Sequence, residues 1–531
     1  EIQALTIAWT GFPGILKQIV AASVQETRVI IFTQDAQATQ SYLTSNNAGG
    51  PAIAMDNITL LEEDFDSIWM RDYAGNPVYI NDVDSLILVD WIYNRPTRPD
   101  DDYSPYYIAQ EVNIPLYTTT EAPTDLVNTG GNFMSDGFGT AFASELILDE
   151  NAFNNDYNVT AKSEEDIDAI MSDFMGIDRF IKMPTLPYDG IHHIDMHMKL
   201  IDEETLLVGE YPDGVADGPQ INANIEYVLD NYNSVFGTPY HVVRIPMPDS
   251  QSGLYPDSQP TPGYYRTYTN AVFVNNTIIF PTYREEFDTT AFRIWGEICP
   301  GYNLVGIDCD NQDEQIISLS GAIHCITHSV GVADPLLISH QPLQDTPDQI
   351  NPYVVSGYFN HRTGIASAKL FWKTIQQSFY TEVVLTDMGN NQWQGLIPAH
   401  PAGTIIEYYL MGESVSGKIQ LRPMPAPAGH WSFEVLGDIS TTELAQAPII
   451  SRVYPNPAQA ITCIELQLTL SQNIEAFLTD VTGKRVQTIH SGQLSPNRSK
   501  LFIDAAQLPA GMYQIEVVTS TGRHCQKLMV K

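Results

Sequence analysis

Short apolar segments alternate with amphipathic segments of helical period through residues 1 to about 340, and the alternation then stops. Residues 5–9 and 28–32 are predicted to be buried strands because they are short and apolar. Residues 14–24 and 36–44 have the spacing of helices. The alternation continues with strand-like segments at 86–89, 205–209 and 277–280 and helical segments at 164–174 and 222–235. This alternation predicts an α/β domain of loosely repeated units.

The pattern changes after a polar, proline-marked linker at residues 341–347. Apolar and polar residues then alternate without a helical period, and turns rich in Gly, Asn and Pro separate the segments 368–372, 381–385, 405–410 and 430–435. This pattern predicts a β-sandwich of immunoglobulin size over residues 345–437. Because this segment has no cluster of ionisable residues, we expect it to be a spacer or platform.

A second linker, residues 437–447, leads into another small all-β segment, with predicted strands at 464–468 and 513–517 and a turn at 480–483. The chain has 531 residues, which is more than one core supports, so three domains are expected. Their predicted bounds are 1–342, 345–437 and 448–531.

The charge balance excludes one class of partner. There are 64 acidic and 26 basic residues, which give a net charge of −38, and a surface of that sign repels nucleic acid. It suits an exported protein and a cationic substrate. No apolar run is long enough to span a membrane, and the first residues enter a strand without a signal-peptide pattern. We therefore expect any secretion signal to have been removed or never to have existed.

Five cysteines are present. Cys299 and Cys309 bracket a short loop, and Cys463 and Cys525 lie near the two ends of the last domain. If both pairs close, Cys325 is the odd thiol; in the alternative, all five are reduced. Neither arrangement has the spacing of metal ligands.

The segment around Cys325, residues 320–328, contains small residues and histidines and follows a strand-like run at 316–319. A nucleophilic thiol needs access and a neighbour that favours the thiolate, and small residues let the backbone approach a bound group. A free cysteine is also often just a small buried hydrophobe. Segments upstream favour the nucleophile.

Arg71 and Asp72 follow Trp69 in an apolar segment, residues 68–73, that we predict to be a strand. A charge pair is unfavourable to bury there unless something satisfies it. A structural ion-pair network and a functional site are both consistent with this pattern.

Strand alternation in residues 192–197 would place His193, Asp195 and His197 on one face. On a helix, His193 and His197 would be four residues apart and could hold zinc. No glutamate directly follows the first histidine, and a strand continues at 199–201, so no metal is expected. His193 and Asp195 side by side favour acid–base chemistry and cation binding.

Two arginines, Arg95 and Arg98, lie in a proline-restricted loop at residues 91–98. They are either solvated or placed to bind a carboxylate in a bidentate manner. A cysteine, a histidine, two aspartates and these arginines form a consistent set for a guanidinium substrate. The aspartates can accept paired N–H donors from the planar group, which would hold its carbon in front of the thiolate.

Three motifs, Trp69-Met70-Arg71-Asp72, His193-Ile194-Asp195 and Gly321-Ala322-Ile323-His324-Cys325, occur in this order. The chain thereby resembles the guanidine-modifying enzymes of the agmatine deiminase group. Within that group it is most similar to the Porphyromonas-type bacterial peptidylarginine deiminases, and the resemblance spans the first domain. It implies the pentein fold, a five-bladed α/β propeller with the site in its central channel.

The resemblance also implies the roles of residues. Cys325 would be the nucleophile, His193 the general acid and base, and Asp72 and Asp195 the guanidinium clamps. Asn270 matches the family's active-site asparagine. The implied substrate-binding residues are Trp69, Arg95, Arg98, Gly131 and Tyr268, with Gly131 in a glycine-rich loop that lines the channel. The sequence departs from the family pattern at Thr97, an extra residue in the arginine loop, and just after Asp72, where Tyr-Ala-Gly-Asn-Pro replaces a short Gly-Pro turn.

The last domain has short elements in a characteristic order, namely Tyr454-Pro455-Asn456-Pro457, then Leu508-Pro509-Ala510-Gly511-Met512-Tyr513, then Lys531. It resembles the C-terminal sorting domain of the type IX secretion system. The resemblance implies the type IX machinery as a partner, and a secreted or outer-membrane-surface location.

These features predict hydrolytic deimination of arginine in peptides and proteins, at a C-terminal arginine, to citrulline and ammonia. The reaction would pass through a covalent thiouronium on Cys325 and would need no cofactor. The alternative is a deiminase of agmatine or another free guanidine. Arg95 distinguishes the two hypotheses, because agmatine has no carboxylate for it to bind. A third hypothesis is a surface adhesin with a decayed catalytic domain, although all the catalytic residue types are present.

Overall fold

The computed structural model describes residues 1–250, 252–256, 264–437, 449–468, 472–480, 484–494, 497–506, 508–519 and 523–531. The chain forms two compact units. One comprises Glu1–Leu343, Val354–Ile397 and Glu407–Ser432, and the other Gln344–Tyr353, Pro398–Ile406 and Phe433–Lys531. Of the predicted second linker only Gly437 is described, and residues 481–483 of the predicted turn and residue 448 also lie outside the described residues.

The first 340 residues contain both strands and helices. The strands are β1 (Ile2–Ala8), β2 (Arg28–Thr33), β3 (Ile58–Glu62), β4 (Asn76–Ile80), β5 (Ser85–Tyr93), β6 (Leu116–Thr119), β7 (Val127–Asn128), β8 (Met134–Ser135), β9 (Thr140–Ser144), β10 (Arg179–Met183), β11 (Met198–Leu200), β12 (Thr205–Glu210), β13 (His241–Pro246), β14 (Val272–Val274), β15 (Thr277–Thr282), β16 (Asn303–Asp308), β17 (His328–Gly331) and β18 (Leu337–Ser339). The helices are α1 (Pro13–Ser23), α2 (Ala36–Leu43), α3 (Met70–Tyr73), α4 (Ser104–Val112), α5 (Leu146–Glu150), α6 (Glu164–Met175), α7 (Gly218–Asn231) and α8 (Glu285–Ile298). The 3₁₀ helices in the described part of this range are Asp101–Tyr103, Gly130–Asn132, Ile194–Met196 and Ile316–Leu319.

The strands up to β17 form small mixed sheets that repeat one pattern. Their strand orders are β17-β1-β2-β3, β4-β5-β6, β10-β9-β8, β11-β12-β13 and β14-β15-β16. In each sheet, one strand pairs antiparallel with one neighbour and parallel with the other. The parallel partner follows a connection that usually contains a helix, as parallel strands require. The α/β class and the repeated units predicted from the alternation are thus confirmed.

Local sequence signals account for the helix ends. In α6, Ser163 and Asp166 form a capping box, and Gly176, at φ +66°, ends the helix in the left-handed region. The α7 helix begins at Gly218, four residues before the predicted start, because Pro219 favours the first turn. It ends at Asn231.

Three segments predicted to be strands are short helices instead. Residues 68–73 form α3 at their C-terminal end, and residues 192–197 and 316–319 contain the 3₁₀ helices Ile194–Met196 and Ile316–Leu319. His192 and Ser320 adopt φ +58° and +62° beside these helices, which a strand cannot accommodate. The apolar pattern of each segment reflects burial, because four to six residues are too few to distinguish period 2 from a single helical turn.

Residues 353–435 are built from strands, as predicted. They are β19 (Tyr353–Asn360), β20 (Ile365–Thr374), β21 (Thr381–Val384), β22 (Thr386–Gly389), β23 (Gln392–Ile397), β24 (Thr404–Ser414), β25 (Ile419–Arg422) and β26 (Trp431–Val435). Two sheets have the orders β18-β19-β23-β22 and β21-β20-β24-β25. Residues of β19 and β24 alternate between buried and more exposed positions, which is the signature of sheets with one face in a core.

The C-terminal segment is also all-β where it is described. Its strands are β27 (Ile449–Tyr454), β28 (Ile461–Leu468), β29 (Gln472–Asp480), β30 (Arg485–Leu494), β31 (Asn497–Asp504), β32 (Gly511–Thr519) and β33 (Arg523–Val530). They form the sheets β27-β28-β31 and β30-β29-β32-β33 around a small core that includes Ile464, Leu466, Ile515 and Val517.

All five cysteines are free thiols, so neither of the two conditional disulfides is formed. Within the described part of the chain, no helix is both long and apolar enough to cross a membrane.

Candidate active site

Cys325 lies between the 3₁₀ helix Ile316–Leu319 and β17, and only 2% of it is exposed. Pairing of β17 with β1 anchors this segment, and Thr6 Oγ1 lies 3.1 Å from Nδ1 of His328. The sulfur is 3.1 Å from Nδ2 of Asn270, 3.6 Å from Oδ2 of Asp195 and 4.0 Å from Sδ of Met196. The thiol therefore faces polar groups and is not simply packed among hydrophobic side chains.

Asn270 holds both the backbone and the sulfur of the Cys325 segment. Its Oδ1 accepts hydrogen bonds from the backbone N–H groups of His324, at 2.9 Å, and Cys325, at 3.4 Å. Its Nδ2 donates to Sγ of Cys325. A donor aimed at the sulfur stabilises a thiolate more than a thiol, so Asn270 is placed to favour ionisation of Cys325.

Asp72 and Asp195 reach Cys325 from two different helices. The backbone N–H of Arg71, in α3, donates to the Cys325 carbonyl at 3.1 Å and so brings Asp72 to the site. Asp195 lies in the 3₁₀ helix Ile194–Met196 and is 1% exposed. The Oδ1 atoms of Asp72 and Asp195 are both buried without a hydrogen-bond partner among the described residues. Two such acceptors are suited to the N–H donors of a guanidinium group.

His193 immediately precedes the same 3₁₀ helix, and its Nδ1 lies 3.6 Å from Oδ1 of Asp72. Neither ring nitrogen has a hydrogen-bond partner among the described residues, although the ring is buried. The imidazole is thus available to move a proton within the site. His197 follows the helix and is also buried. No group of three or more His, Cys, Asp or Glu side chains in the described ranges could hold a metal ion.

Two glycines make the close packing of the site possible. A Cβ atom on Gly131 would overlap Nδ1 of His193 and lie 2.9 Å from Oδ1 of Asp72. A Cβ atom on Gly321 would overlap the ring of Trp69 and lie 3.2 Å from Cβ of Cys325. Gly131 therefore lies directly against the His193–Asp72 pair, and Trp69 packs beside the cysteine segment.

Burial and charge set the protonation of the empty site. Burial, with the charges of Asp195 and Asp72, raises the pKa of Cys325 well above its usual value. Burial, with the charge of Asp72, raises the pKa of Asp195 to about 8. The pKa of His193 is lowered, mainly by burial. The resting site thus holds a neutral thiol and a neutral imidazole, and it lacks the cation that would favour two carboxylates and a thiolate.

Two further basic side chains, Arg71 and the buried Lys199, interact electrostatically with these groups. Burial lowers the pKa of Arg71 to about 10 and that of Lys199 to about 7. The charges of Asp195 and Cys325 oppose both shifts, so the two cations lie close enough to feel the site. Sequence reasoning assigned a role to neither residue. The signal for Lys199 is a lone charge in the apolar run 198–201, four residues after Asp195.

The arginine loop lies at the edge of this site. Arg95 donates from Nη1 to the carbonyl of Asn94 at 2.8 Å, and Arg98 donates from Nη1 to the hydroxyl of Tyr93 at 3.3 Å. The positive charge of Arg95 contributes to the lowered pKa of His193, so this guanidinium lies near that imidazole. Both arginines are partly exposed.

Tyr268, which is predicted to bind the substrate, lies in the core. Its ring is fully buried against Phe280 and Tyr283, and its hydroxyl donates to Asp288 in α8 at 2.8 Å. Tyr268 supports the loop that carries Asn270. The preference of a tyrosine for a buried, hydrogen-bonded place explains its position.

A buried thiol beside two carboxylates and a neutral histidine is an arrangement suited to chemistry on a cationic carbon. The family model of Porphyromonas-type peptidyl-arginine deiminase matches residues 10–330. The chain belongs to this family, and it is therefore an enzyme of the deiminases, which hydrolyse C–N bonds of guanidine groups.

The relatives agree with that assignment. The agmatine deiminase of Pseudomonas syringae pv. tomato is 25% identical over 299 residues, which cover 51% of this chain and 77% of the relative. A solved structure from Porphyromonas gingivalis aligns with a TM-score of 0.52 at 20% identity and covers 62% of this chain and 95% of its own. The agmatine deiminase structure from Enterococcus faecalis aligns with a TM-score of 0.50 at 19% identity and covers 62% of this chain and 93% of its own. These structural likenesses show the fold, that of the pentein deiminases.

Residues 452–531 match the model of a secretion-system C-terminal sorting domain. This type IX signal implies export out of the cell and engagement with the type IX machinery.

Proposed function

We propose that the protein deiminates arginine in peptides and proteins, with preference for a C-terminal arginine, to give citrulline and ammonia. The observation that carries the proposal is the pair of Oδ1 atoms of Asp72 and Asp195 beside the thiol of Cys325, both buried and without a hydrogen-bond partner among the residues that the structure describes. A guanidinium group supplies the paired N–H donors and the positive charge that this site lacks.

The charge of the substrate activates the nucleophile. The pKa of Cys325 is high in the empty site because of burial and two neighbouring carboxylates. A bound guanidinium compensates those carboxylates, so the thiol gives up its proton as the substrate enters, and His193 takes up that proton. The thiolate then bonds to the guanidinium carbon and gives a neutral tetrahedral adduct, with Asn270 donating to the sulfur.

His193 moves the remaining protons. In protonated form it gives a proton to one amino group, whose C–N bond breaks to release ammonia and leave a thiouronium cation on Cys325. Neutral His193 then takes a proton from water, and the hydroxide adds to the same carbon. The C–S bond breaks, the thiolate leaves, and loss of a proton from oxygen gives the ureido group of citrulline. Gly131 supports this step because it allows His193 and Asp72 to lie side by side.

Arg95 supports the preference for a chain end. Its guanidinium is partly exposed, next to Pro96, and close enough to His193 to lower the pKa of that histidine. A C-terminal arginine would place its α-carboxylate on this side of the site. Arg98 and Trp69 would complete the substrate contacts, and no cofactor enters the reaction.

A free guanidine such as agmatine is the second candidate substrate. It is favoured by the relative and the solved structure named agmatine deiminase. Agmatine would fill the guanidinium site in the same way and would leave Arg95 without a carboxylate.

The larger architecture completes the proposal. We infer that the five sheets are blades of a propeller whose central channel holds the site, and that residues 345–437 are an immunoglobulin-like spacer. The domain bounds 1–342, 345–437 and 448–531 and a secreted or outer-membrane-surface location belong to the same proposal.

Incubation of the full chain with an equimolar pool of agmatine and peptides with internal or C-terminal arginine tests the substrate. Mass spectrometry should show the replacement of NH by O first in the C-terminal arginine peptides. Faster conversion of agmatine would establish the second candidate, and no conversion of any component would refute deimination.

A further inference from the structure

His324, the residue before Cys325, makes the shortest contact to a carboxylate in the site. Its Nδ1 lies 2.7 Å from Oδ2 of Asp195, and its backbone N–H donates to Oδ1 of Asn270 at 2.9 Å. The side chain is 10% exposed. His324 is thus fixed at both ends between two residues that adjoin the nucleophile.

This contact determines which oxygen of Asp195 remains available. Oδ2 is occupied by His324 and lies 3.6 Å from the sulfur of Cys325, whereas Oδ1 is buried without a partner among the described residues. A carboxylate held at one oxygen presents the other in a single direction. Loss of the His324 contact would let Asp195 rotate toward the thiol or toward Lys199.

We propose that His324 is a positioning residue that holds Asp195 ionised and oriented to receive the guanidinium group. The inference rests on the proposed function, because it assigns Asp195 to substrate binding. His324 itself touches neither the substrate nor the reacting carbon in this account.

The charges around the pair explain why such a holder is needed. Burial and the charge of Asp72 raise the pKa of Asp195 to about 8, so near neutrality the empty site favours the protonated acid. The pKa of His324 is lowered well below its usual value by burial and by Arg71, Lys199 and His328, so its ring is neutral. A neutral ring that donates Nδ1–H favours the ionised carboxylate. The titratable and charged groups that act on the pair are Arg71, Asp72, Lys199, Cys325 and His328.

Three substitutions separate the hydrogen bond from the volume of the ring. In His324→Asn, the side-chain amide nitrogen stands near the place of Nδ1 and can still donate to Asp195. In His324→Gln, the amide lies one carbon farther out and misses that oxygen, and in His324→Ala no donor remains. His328→Asn is the matched control, because His328 is also buried on the same segment but contacts Thr6.

The expected readouts are the pH profile and the split between KM and kcat. Because Asp195 must be ionised to bind the substrate, removal of the donor should move the acidic limb of kcat/KM to higher pH by about one unit in His324→Ala and His324→Gln. At pH 7, kcat/KM should fall by about ten-fold or more, mostly through KM. His324→Asn should keep the limb and most of the activity, and His328→Asn should leave the limb in place.

A second readout needs no turnover. In His324→Ala and His324→Gln more of Asp195 is protonated, which removes a negative charge beside Cys325, so iodoacetamide should alkylate Cys325 about three-fold faster at pH 7. His324→Asn should match the wild type. Should His324→Ala fail to fold, the Asn and Gln variants still carry the comparison.

The inference is overturned if the Ala or Gln variant keeps the wild-type profile and alkylation rate, or if Asn and Gln are equally impaired. Failure of the proposed function looks different: the wild type itself would convert neither peptides nor agmatine, whereas the alkylation series would still report on His324.

Discussion

At the residue scale, the thiol of Cys325 lies among charged groups that are largely withdrawn from water. They are the carboxylates of Asp72 and Asp195 and the basic groups of Arg71 and Lys199. A structural cysteine needs no such setting, since unpaired buried charge is unfavourable. In the empty site burial and charge favour the protonated forms of Asp195 and Cys325, and we propose that the substrate supplies the further cation that ionises both. In the proposed mechanism, catalysis is therefore tied to guanidinium binding through the ionisation of one thiol.

The substitution Asp195→Asn should have opposite effects on thiol reactivity and on turnover. Loss of the carboxylate charge lowers the pKa of Cys325, because that charge contributes to the raised value. Alkylation of Cys325 at pH 7 should therefore become faster. Deimination should lose at least about 3 kcal/mol of transition-state stabilisation, because a charge-assisted pair in a secluded site is removed. A drop of only several-fold in kcat/KM would mean that Asp195 is structural, and Cys325→Ala serves as the inactive reference.

A methyl group on Gly131 should disturb the site without disturbing the fold. In Gly131→Ala the added carbon overlaps Nδ1 of His193, whereas Gly190→Ala, the matched control, adds a carbon where there is open space. Displacement of His193 should reduce kcat by about 100-fold, since a misplacement of that size has such an effect on an oriented catalytic group. Thermal unfolding should be nearly the same in both variants. Equal kcat in both would show that His193 has room to move and that the packing is not required.

At the scale of elements, the sequence predicted the recurring buried strands but not the short helices beside the site. The strands β1, β2, β12 and β15 were predictable because each is a short, buried, apolar run. The helices at Met70–Tyr73 and Ile194–Met196 were not, because contacts from distant segments determine them, such as the hydrogen bond from Arg71 to Cys325. Strand alternation was the wrong reason for the proximity of His193 and Asp195.

The candidate site was also predictable from the sequence only in part. The residue types at positions 72, 193, 195 and 325 were predictable from chemistry and family resemblance, and the structure brings all four together. The core position of Tyr268 and the burial of Lys199 could not be predicted from the sequence, because burial depends on the packing of distant strands and helices. His324 was part of a recognised motif, yet its bond to Asp195 spans 129 residues of sequence.

A prediction at the scale of elements concerns the loop at the end of β5 that contains Arg95. Arg95→Ala should reduce kcat/KM for a C-terminal arginine peptide by about thirty- to a hundred-fold, because a charge-assisted contact to the α-carboxylate is lost. Peptides with internal arginine should lose much less, and agmatine least. Arg293→Ala is the control, since Arg293 is an exposed arginine of α8 that pairs with Glu297 outside the site. An equal fall for all three substrates would mean that Arg95 supports the loop, and the preference for chain ends would then need another origin.

At the scale of the whole molecule, chemistry and export reside in different parts of the sequence. The family match covers residues 10–330, and every residue assigned to the site falls within 69–325. The sorting domain, residues 452–531, has its own sheets and a small core of its own. Its role is therefore expected to be independent of turnover.

Removal of residues 449–531 should leave kcat and KM for the C-terminal arginine peptide within about two-fold of the full chain, because no site residue is lost. The same deletion should abolish export when the gene is expressed in a host with the type IX machinery. Ammonia release from purified protein and the fraction of protein outside the cells are the two measurements. A large loss of activity in a folded, truncated protein would show that the C-terminal part contributes to the active site.

The central claim, covalent catalysis by Cys325, is tested most directly by rapid-quench intact-protein mass spectrometry during turnover of a C-terminal arginine peptide. The account predicts a transient adduct whose mass equals the peptide minus ammonia, located on Cys325 by digestion and absent from Cys325→Ala, while citrulline and ammonia form in equal amounts. Citrulline formation by Cys325→Ala at an appreciable rate, or an adduct on another residue, would contradict it.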